Sequence, residues 1–398
     1  MFTLSLSLLG LPIAFIIILL MVRKRIPYGF AIIAGAVIIG LFCGFTGSDF
    51  LSALYHTLYN WETINLTTII VGIGILGYAF KETGQIDITI NELRKIFGER
   101  TLLAALPAAF GMLPIPGGAL MSAPIIDPEA KKLGLDAGHK SYLNLWFRHT
   151  LLLVFPISSM IIVPASLAGV SVYALIIRLV PLFFISIAVG YVVGLRPIRP
   201  TPSPDDSGSL VKAVYGLSPI ILVIILNLVF HVPFSIGIII GIALLFIETK
   251  TSLSETGNII WKGFSPTMAV AMIGIMFFRQ ILDGSTLAED LMVLLEGSPL
   301  LLLMIGLPMA VSLFTGLAVL SIGTTFPLLL PLSPVSPAVF ASILYVSAYT
   351  GYLASPLHLC LILTKEYFKC SLYEVYKWFL PSIGVLICYN IIITFLLL

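Results

Sequence analysis

The chain repeats itself about two hundred residues on, at the places where its apolar runs are interrupted. Gly117, Ala119 and Ser122 recur as Gly316, Ala318 and Ser321, Thr150 and Pro156 recur as Thr350 and Pro356, and Pro181 recurs as Pro381. A fold built from such a chain must accommodate the same breaks twice. In a membrane protein, paired interruptions in corresponding positions of two halves are a pointer to a binding site at the midplane.

The membrane reading follows from composition. Hydrophobic residues make up 59% of the 398 residues and charged residues 10%, and the mean hydropathy is +1.10. A soluble domain carries about 25% charged residues, so this chain cannot build a water-facing surface. A net charge of +2 is too small to imply a nucleic-acid partner. Cys43, Cys360, Cys370 and Cys388 form no CxxC pair and no His/Cys motif, and read as buried thiols. The first apolar run, Leu4 to Val22, precedes Arg23-Lys24-Arg25. That order is the reverse of a cleaved signal peptide and predicts a first span.

Apolar stretches of about 20 residues predict spans at 3–22, 27–45, 63–82, 141–168, 171–194, 213–231, 233–248, 265–282, 337–363 and 373–397. Two more, 101–127 and 299–331, carry Pro114-Ile115-Pro116-Gly117-Gly118 and Phe314-Thr315-Gly316 at their middles. Each reads as two short helices meeting at a tip, a re-entrant hairpin; a kinked ordinary span is the alternative. Irregular backbone at that depth survives only inside protein or beside a wet cavity. Charge separates the two readings. With two hairpins, Arg23, Lys24, Arg25, Arg94, Lys95, Arg100, Lys131, Lys132, Lys140, Arg196, Arg199, Lys212, Lys250, Lys262, Lys365 and Lys369 all fall on one side. The opposite loops hold Asp49, Glu62, Asp283, Glu289, Asp290 and Glu296. Basic residues mark the cytoplasmic side, and a single crossing in place of either hairpin destroys the separation.

The expected fold is therefore an all-α polytopic membrane protein of two inverted-topology repeats, each five spans plus one re-entrant hairpin. Residues 1–195 form the first repeat with its cytoplasmic-side hairpin, 196–212 a Pro-rich cytoplasmic linker, and 213–398 the second repeat with an external-side hairpin. The expected location is the plasma (cytoplasmic) membrane, with both termini external. The polar stretches 85–100 and 284–297 precede the hairpins. The first suits a helix lying along the interface, with a solvated loop as the alternative.

Broken helices expose N–H groups that bind anions and carbonyls that suit cations. The candidate substrate contacts are Pro116, Gly117, Gly118, Ser122, Arg148, His149, Thr150, Thr315, Gly316, Ser321, Thr350 and Ser355. Gly117, Ser122, Thr150, Thr315 and Thr350 are the candidates for a coupling ion, Na+ if not H+. The hydroxyls either meet a ligand or bond back to their own helices. Arg148 either pairs with an anion or snorkels to the headgroups, and His149 either carries a proton or is structural. Asn144 and Asn65 are weaker candidates, and Arg178 and Arg279 read as interface anchors. No Asp or Glu falls at the middle of a predicted span, and no HExxH, phosphate-cradling loop or metal-ligand motif is present. No enzymatic activity and no cofactor or metal is expected beyond that coupling ion. The expected activity is secondary transport of a small organic anion. A membrane-embedded enzyme or lipid-processing protein using the same cavity, and an anion channel, are the rival readings.

The run Gly111-Met112-Leu113-Pro114-Ile115-Pro116-Gly117-Gly118, followed by Ser122-Ala123-Pro124, resembles the first-hairpin motif of gluconate permease and citrate carrier relatives. These belong to the ion transporter superfamily, with the divalent-anion sodium symporters. The nearest resemblance is to its DUF401 integral membrane branch. The likeness rests mainly on 111–124 and more weakly on 314–327, and the Ser-Asn-Thr triplet common at the superfamily's tips is absent here. The resemblance implies an elevator-type secondary transporter working as a homodimer. Spans one to three and six to eight would form the scaffold, the hairpins with spans four, five, nine and ten the moving unit, and 85–100 and 284–297 the arms between them.

Overall fold

A computed structural model describes residues 6–113, 119–199, 208–294 and 300–397. Among the described residues every regular element is helical. In chain order come α1 (Leu6–Arg23), α2 (Tyr28–Phe42), α3 (Gly47–Tyr59), α4 (Trp61–Glu82), α5 (Gln85–Ile96), α6 (Glu99–Gly111), α7 (Ala119–Lys132), α8 (Ala137–Thr150), α9 (Ser159–Leu167) and α10 (Val172–Gly190). They are followed by α11 (Leu210–Tyr215), α12 (Ser218–Leu228), α13 (Phe234–Glu248), α14 (Leu253–Gly263), α15 (Pro266–Asp283), α16 (Leu287–Leu294), α17 (Leu300–Thr315), α18 (Ala318–Leu329), α19 (Pro337–Ala354), α20 (Leu359–Phe368) and α21 (Leu372–Leu397).

Six helical segments are long and apolar enough to cross a membrane: Leu6–Arg23, Trp61–Glu82, Val172–Leu195, Pro266–Asp283, Pro337–Phe368 and Leu372–Leu397. The other four predicted spans fall short of that length. α2 and α13 have 15 residues each and so reach about 22 Å, against a hydrocarbon core of about 30 Å. Pro27 and Pro233 start them, and left-handed residues, Gly44 and Lys250, follow their last turns. α12 has 11 residues, and the predicted span 141–168 is split between α8 and α9.

Two helices lie where the hydropathy left only connections. α3 opens on a capping box, the Thr46 N–H donating to Asp49 Oδ2 at 2.7 Å. α14 opens on Ser252, whose hydroxyl accepts from the Glu255 N–H at 3.3 Å. Both turn apolar side chains outward, Leu51, Tyr55 and Tyr59 on one and Leu253 and Trp261 on the other. That is the pattern of helices lying in a membrane interface.

The helices sort into two packed groups. α1, α2, α4, α12, α13, α14 and α15 pack among themselves, and α6 to α10 pack with α17 to α21. Contacts of α18 with α15 and α2, and of α9 with α4, join the groups, as does α17 against α1. Within the second group α8 and α19 are buried almost all round, from Gly138 to Thr150 and from Val339 to Gly351. Helices buried on every face are core helices, and α8 brings Lys140, Asn144, Arg148 and His149 into that interior.

α6 and α7 run antiparallel, with Lys132 Nζ 3.3 Å from Glu99 and Arg94 Nη2 donating to the Ile125 carbonyl at 3.3 Å. The tip between them, Pro114–Gly118, is outside the described residues. α17 and α18 form a second hairpin, in which Ser321 Oγ donates to the Pro308 carbonyl at 2.7 Å. Its tip is closed by Gly316 at φ +69°, a backbone angle that disfavours any side chain. The polar stretch before the first hairpin is the amphipathic helix α5. Its Thr89 hydroxyl donates to the Ala213 carbonyl of α11 at 2.8 Å, and its Glu92 accepts from the Ser209 N–H at 2.8 Å. Lys95 beside it and this N–H hold the Glu92 carboxyl below the usual carboxylate range. The described end of the Pro-rich linker is thus docked on α5.

Candidate functional site

The broken elements converge. α8 ends at Thr150, passes through one tight turn over Leu151–Leu153, and the chain resumes as α9 at Ser159. α19 ends at Ala354 and α20 begins at Leu359. The Tyr349 hydroxyl donates to the His149 carbonyl at 3.1 Å, and the Tyr345 hydroxyl to the Leu152 carbonyl at 2.6 Å. The Leu152 carbonyl past the break in α8 thereby finds a donor on α19, and the His149 carbonyl, which also accepts a backbone N–H at the helix cap, gains a second.

A cavity of about 320 Å³ opens beside this junction. Gly111 to Leu113, Arg148 and His149 line it from the ends of α6 and α8. The starts of α9, α18 and α20 face it through Ser158, Gly316 to Leu320, Leu359 and Cys360, while Tyr28 and Met268 close it from the other packing group. Its size lies in the range of small-molecule sites. Three helix N-termini therefore meet at one cavity, each carrying partial positive charge. At α9 the Ser158 hydroxyl caps the Met160 N–H at 3.2 Å. The caps of α18 and α20, Leu317 and His358, make no side-chain cap bond, so first-turn N–H groups there remain for another partner.

Arg148 decides the character of the cavity. Its side chain is 6% exposed, and Nη1 donates to the Phe110 carbonyl at the end of α6 at 3.0 Å. Among the described residues no carboxylate lies within ion-pairing distance of it. Two other cations, Lys140 and Arg279, are paired. Lys140 meets Asp127 at 3.0 Å, and Arg279 meets Glu62 at 3.2 Å and Asp283 at 3.6 Å. A buried guanidinium with one neutral acceptor has given up hydration that a single carbonyl does not replace. The Arg148 side chain is turned into the protein, onto the Phe110 carbonyl.

The predicted site residues divide three ways. Arg148, His149 and Gly316 line the cavity. Pro116, Gly117 and Gly118 lie outside the described residues. The hydroxyls of Thr150, Thr315 and Thr350 donate to carbonyls one turn back in their own helices, Trp146 at 2.9 Å, Val311 at 2.6 Å and Val346 at 2.8 Å. Ser321 is committed to Pro308, and Ser355 to the Leu313 carbonyl at 2.7 Å. Ser122 donates to Asn144 Oδ1 at 2.6 Å, while Asn144 Nδ2 reaches Ala119 and Thr364. That network ties α7, α8 and α20 together, a larger part for Asn144 than its place near a predicted span start suggests. Arg178 lines a separate crevice with Tyr389 and Ser342.

Residues that the sequence did not single out are Ser158, Tyr352, His358 and Cys360. The fold assembles a His/Cys cluster that no sequence motif reveals, because His149 stands about two hundred positions before the His358–Cys360 pair. Of the cysteines, Cys370 is buried, Cys43 and Cys360 are half-buried, and Cys388 is exposed on α21. Four buried thiols were expected; Cys370 alone is buried, because Cys43 and Cys360 are only partly covered and Cys388 lies on an outward face of α21.

A family model described as "Protein of unknown function (DUF401)" matches residues 5–397. The chain belongs to the DUF401 family. Its long apolar helices are those of a membrane protein. A search of curated proteins finds no match.

Proposed function

We propose that this DUF401 protein is a secondary transporter of a small organic anion, driven by a Na+ or H+ gradient. The observation that carries the reading is the buried, carboxylate-free Arg148 facing a cavity onto which three helix N-termini open. All four features favour negative charge, and a carboxylate accepting from a guanidinium is a strong charge-assisted contact.

The same reading extends to architecture. α12 to α21 follow one another in the order of α1 to α10, with α8, α9 and α10 matched by α19, α20 and α21 about two hundred residues later. We read this as two inverted repeats, 1–195 and 213–398, with the α6–α7 and α17–α18 hairpins re-entering from opposite faces and both termini external. The two packed groups then suit an elevator, with α1, α2, α4, α12, α13 and α15 as scaffold and the hairpins with α8 to α10 and α19 to α21 as the moving unit. The cavity lies where these groups meet, Tyr28 and Met268 on one side and Arg148 on the other. A homodimer in the plasma membrane completes the proposal, with transport rather than catalysis as its activity.

The test is thermal stabilisation of the purified protein by carboxylates, sulfate and phosphate, with and without Na+. A ligand that binds only the folded state adds about 2.7 kcal/mol at a hundredfold excess over its dissociation constant. Stabilisation by a carboxylate supports the reading, and no response to any anion contradicts it. Impermeant labelling of cysteines placed at Lys131 and Asp290 tests the topology, since labelling of both from the same side ends the inverted arrangement.

A further inference from the structure

At the edge of the anion cavity His149, His358 and Cys360 come together, one donor atom of each lying within 4.8 Å of the others. Their origins differ: His149 lies in the last turn of α8, whereas His358 caps α20 and Cys360 lies in its first turn. The two imidazoles are each 2% exposed, with ring centroids 4.8 Å apart and edge to face. His149 Nδ1 lies 2.6 Å from the Leu145 carbonyl. A carbonyl only accepts, so Nδ1 carries the proton and Nε2 keeps a free lone pair, the arrangement that orients a ligating histidine. His358 Nε2 is buried and has no hydrogen-bond partner. Buried polar atoms without partners are few in native proteins, and each calls for an account.

We propose that His149, His358 and Cys360 bind a zinc-class divalent ion and leave its fourth position open to the cavity. Two imidazoles and a thiolate select a borderline-soft ion over Mg2+ or Ca2+, which take oxygen donors. Tetrahedral zinc places such donors about 3.4 Å apart, so the cluster closes by at most about 1.4 Å, a side-chain rotation. On binding, the Cys360 thiol releases its proton to water and the thiolate offsets one of the ion's two charges. Three protein ligands with an open fourth position is the pattern of a functional rather than a structural zinc site. That position would be filled by water or, on the transport reading above, by a carboxylate oxygen of the anion held by Arg148. The ion site itself does not depend on that reading.

Chelator-stripped protein titrated with Co2+, and with no anion present, tests the ion site apart from transport. The expected result is one ion per chain, visible bands of a tetrahedral centre, and a thiolate-to-cobalt charge-transfer band in the near ultraviolet. Zn2+ should displace the Co2+ and Mg2+ should not. Cys360→Ser should lose the charge-transfer band, and His149→Gln and His358→Gln should bind more than about tenfold more weakly. Size-exclusion profiles identify any variant that fails to fold, and the wild-type spectrum then decides alone. Absence of the charge-transfer band from the wild type, or wild-type titrations in all three folded variants, overturns the proposal.

Discussion

α8 and α19 occupy equivalent places in the chain and are equally buried, yet they are chemically unlike. In α19 the hydroxyls of Ser342, Ser347 and Thr350 return to carbonyls of their own helix. Its two tyrosines reach across to the carbonyls at the break in α8. Nothing polar in these contacts is left over. α8 carries Lys140, Asn144, Arg148 and His149 in a comparable interior. Lys140 and Asn144 are consumed by Asp127, Ser122 and Thr364, whereas Arg148 keeps a charge without a counter-ion. Both helices supply the break, but only one supplies the charge. The cavity's shape draws on both helices, whereas its uncompensated charge comes from α8 alone.

The largest effect should come from the shared part of that comparison. A Cβ at Gly111 would overlap the Arg148 carbonyl oxygen, and one at Gly351 the Met309 carbonyl oxygen. In both cases the obstacle is backbone. Overpacking costs about 1–3 kcal/mol where side chains can yield, and more where they cannot. Gly111→Val and Gly351→Val should both abolish recovery of folded protein in size-exclusion profiles. Normal folding of one alone would break the equivalence of the two sides.

A smaller loss is expected at Gly316. The left-handed angle costs an alanine roughly 1–2 kcal/mol, and its Cβ would stand 2.7 Å from the Leu357 backbone. Gly316→Ala should therefore fold with a lowered melting temperature and lose uptake into proteoliposomes, because the start of α18 faces the cavity. Wild-type uptake would remove the second tip from the site. The smallest effect should be that of Tyr349→Phe, which deletes one neutral hydrogen bond worth about 1 kcal/mol. It should lower the melting temperature slightly and leave anion affinity unchanged. A large affinity loss would show that α19 contributes chemistry as well as shape.

Much of this was legible in the sequence, and the missing parts have physical reasons. The long spans α4, α15 and α21 follow from apolar length, and the break at Gly316 follows from glycine between two apolar runs. α3 and α14 escaped because their apolar residues are spaced around one face and raise average hydropathy too little to register. The site was legible where a residue type is costly at its position. A charged Arg148 two turns into an apolar stretch announces itself, whereas Thr150 and Thr350 match in sequence with the same hydroxyl-to-carbonyl bond in each, and Thr315 makes that bond too. His358 and Cys360 were invisible because their significance lies in meeting His149, a contact between distant segments that no local pattern encodes.

If Arg148 pairs with the transported anion, its loss must show in binding affinity. Calorimetric titration of the purified protein in detergent separates binding from any defect in movement. The carboxylate that most stabilises the wild type should bind Arg148→Gln about ten to a hundred times more weakly, the loss of a charged hydrogen bond of about 1.5–3 kcal/mol. Arg148→Lys should recover little of this, since an ammonium cannot reproduce the planar two-pronged contact. Wild-type affinity in both variants would contradict the account and leave the helix N-termini alone to hold the anion.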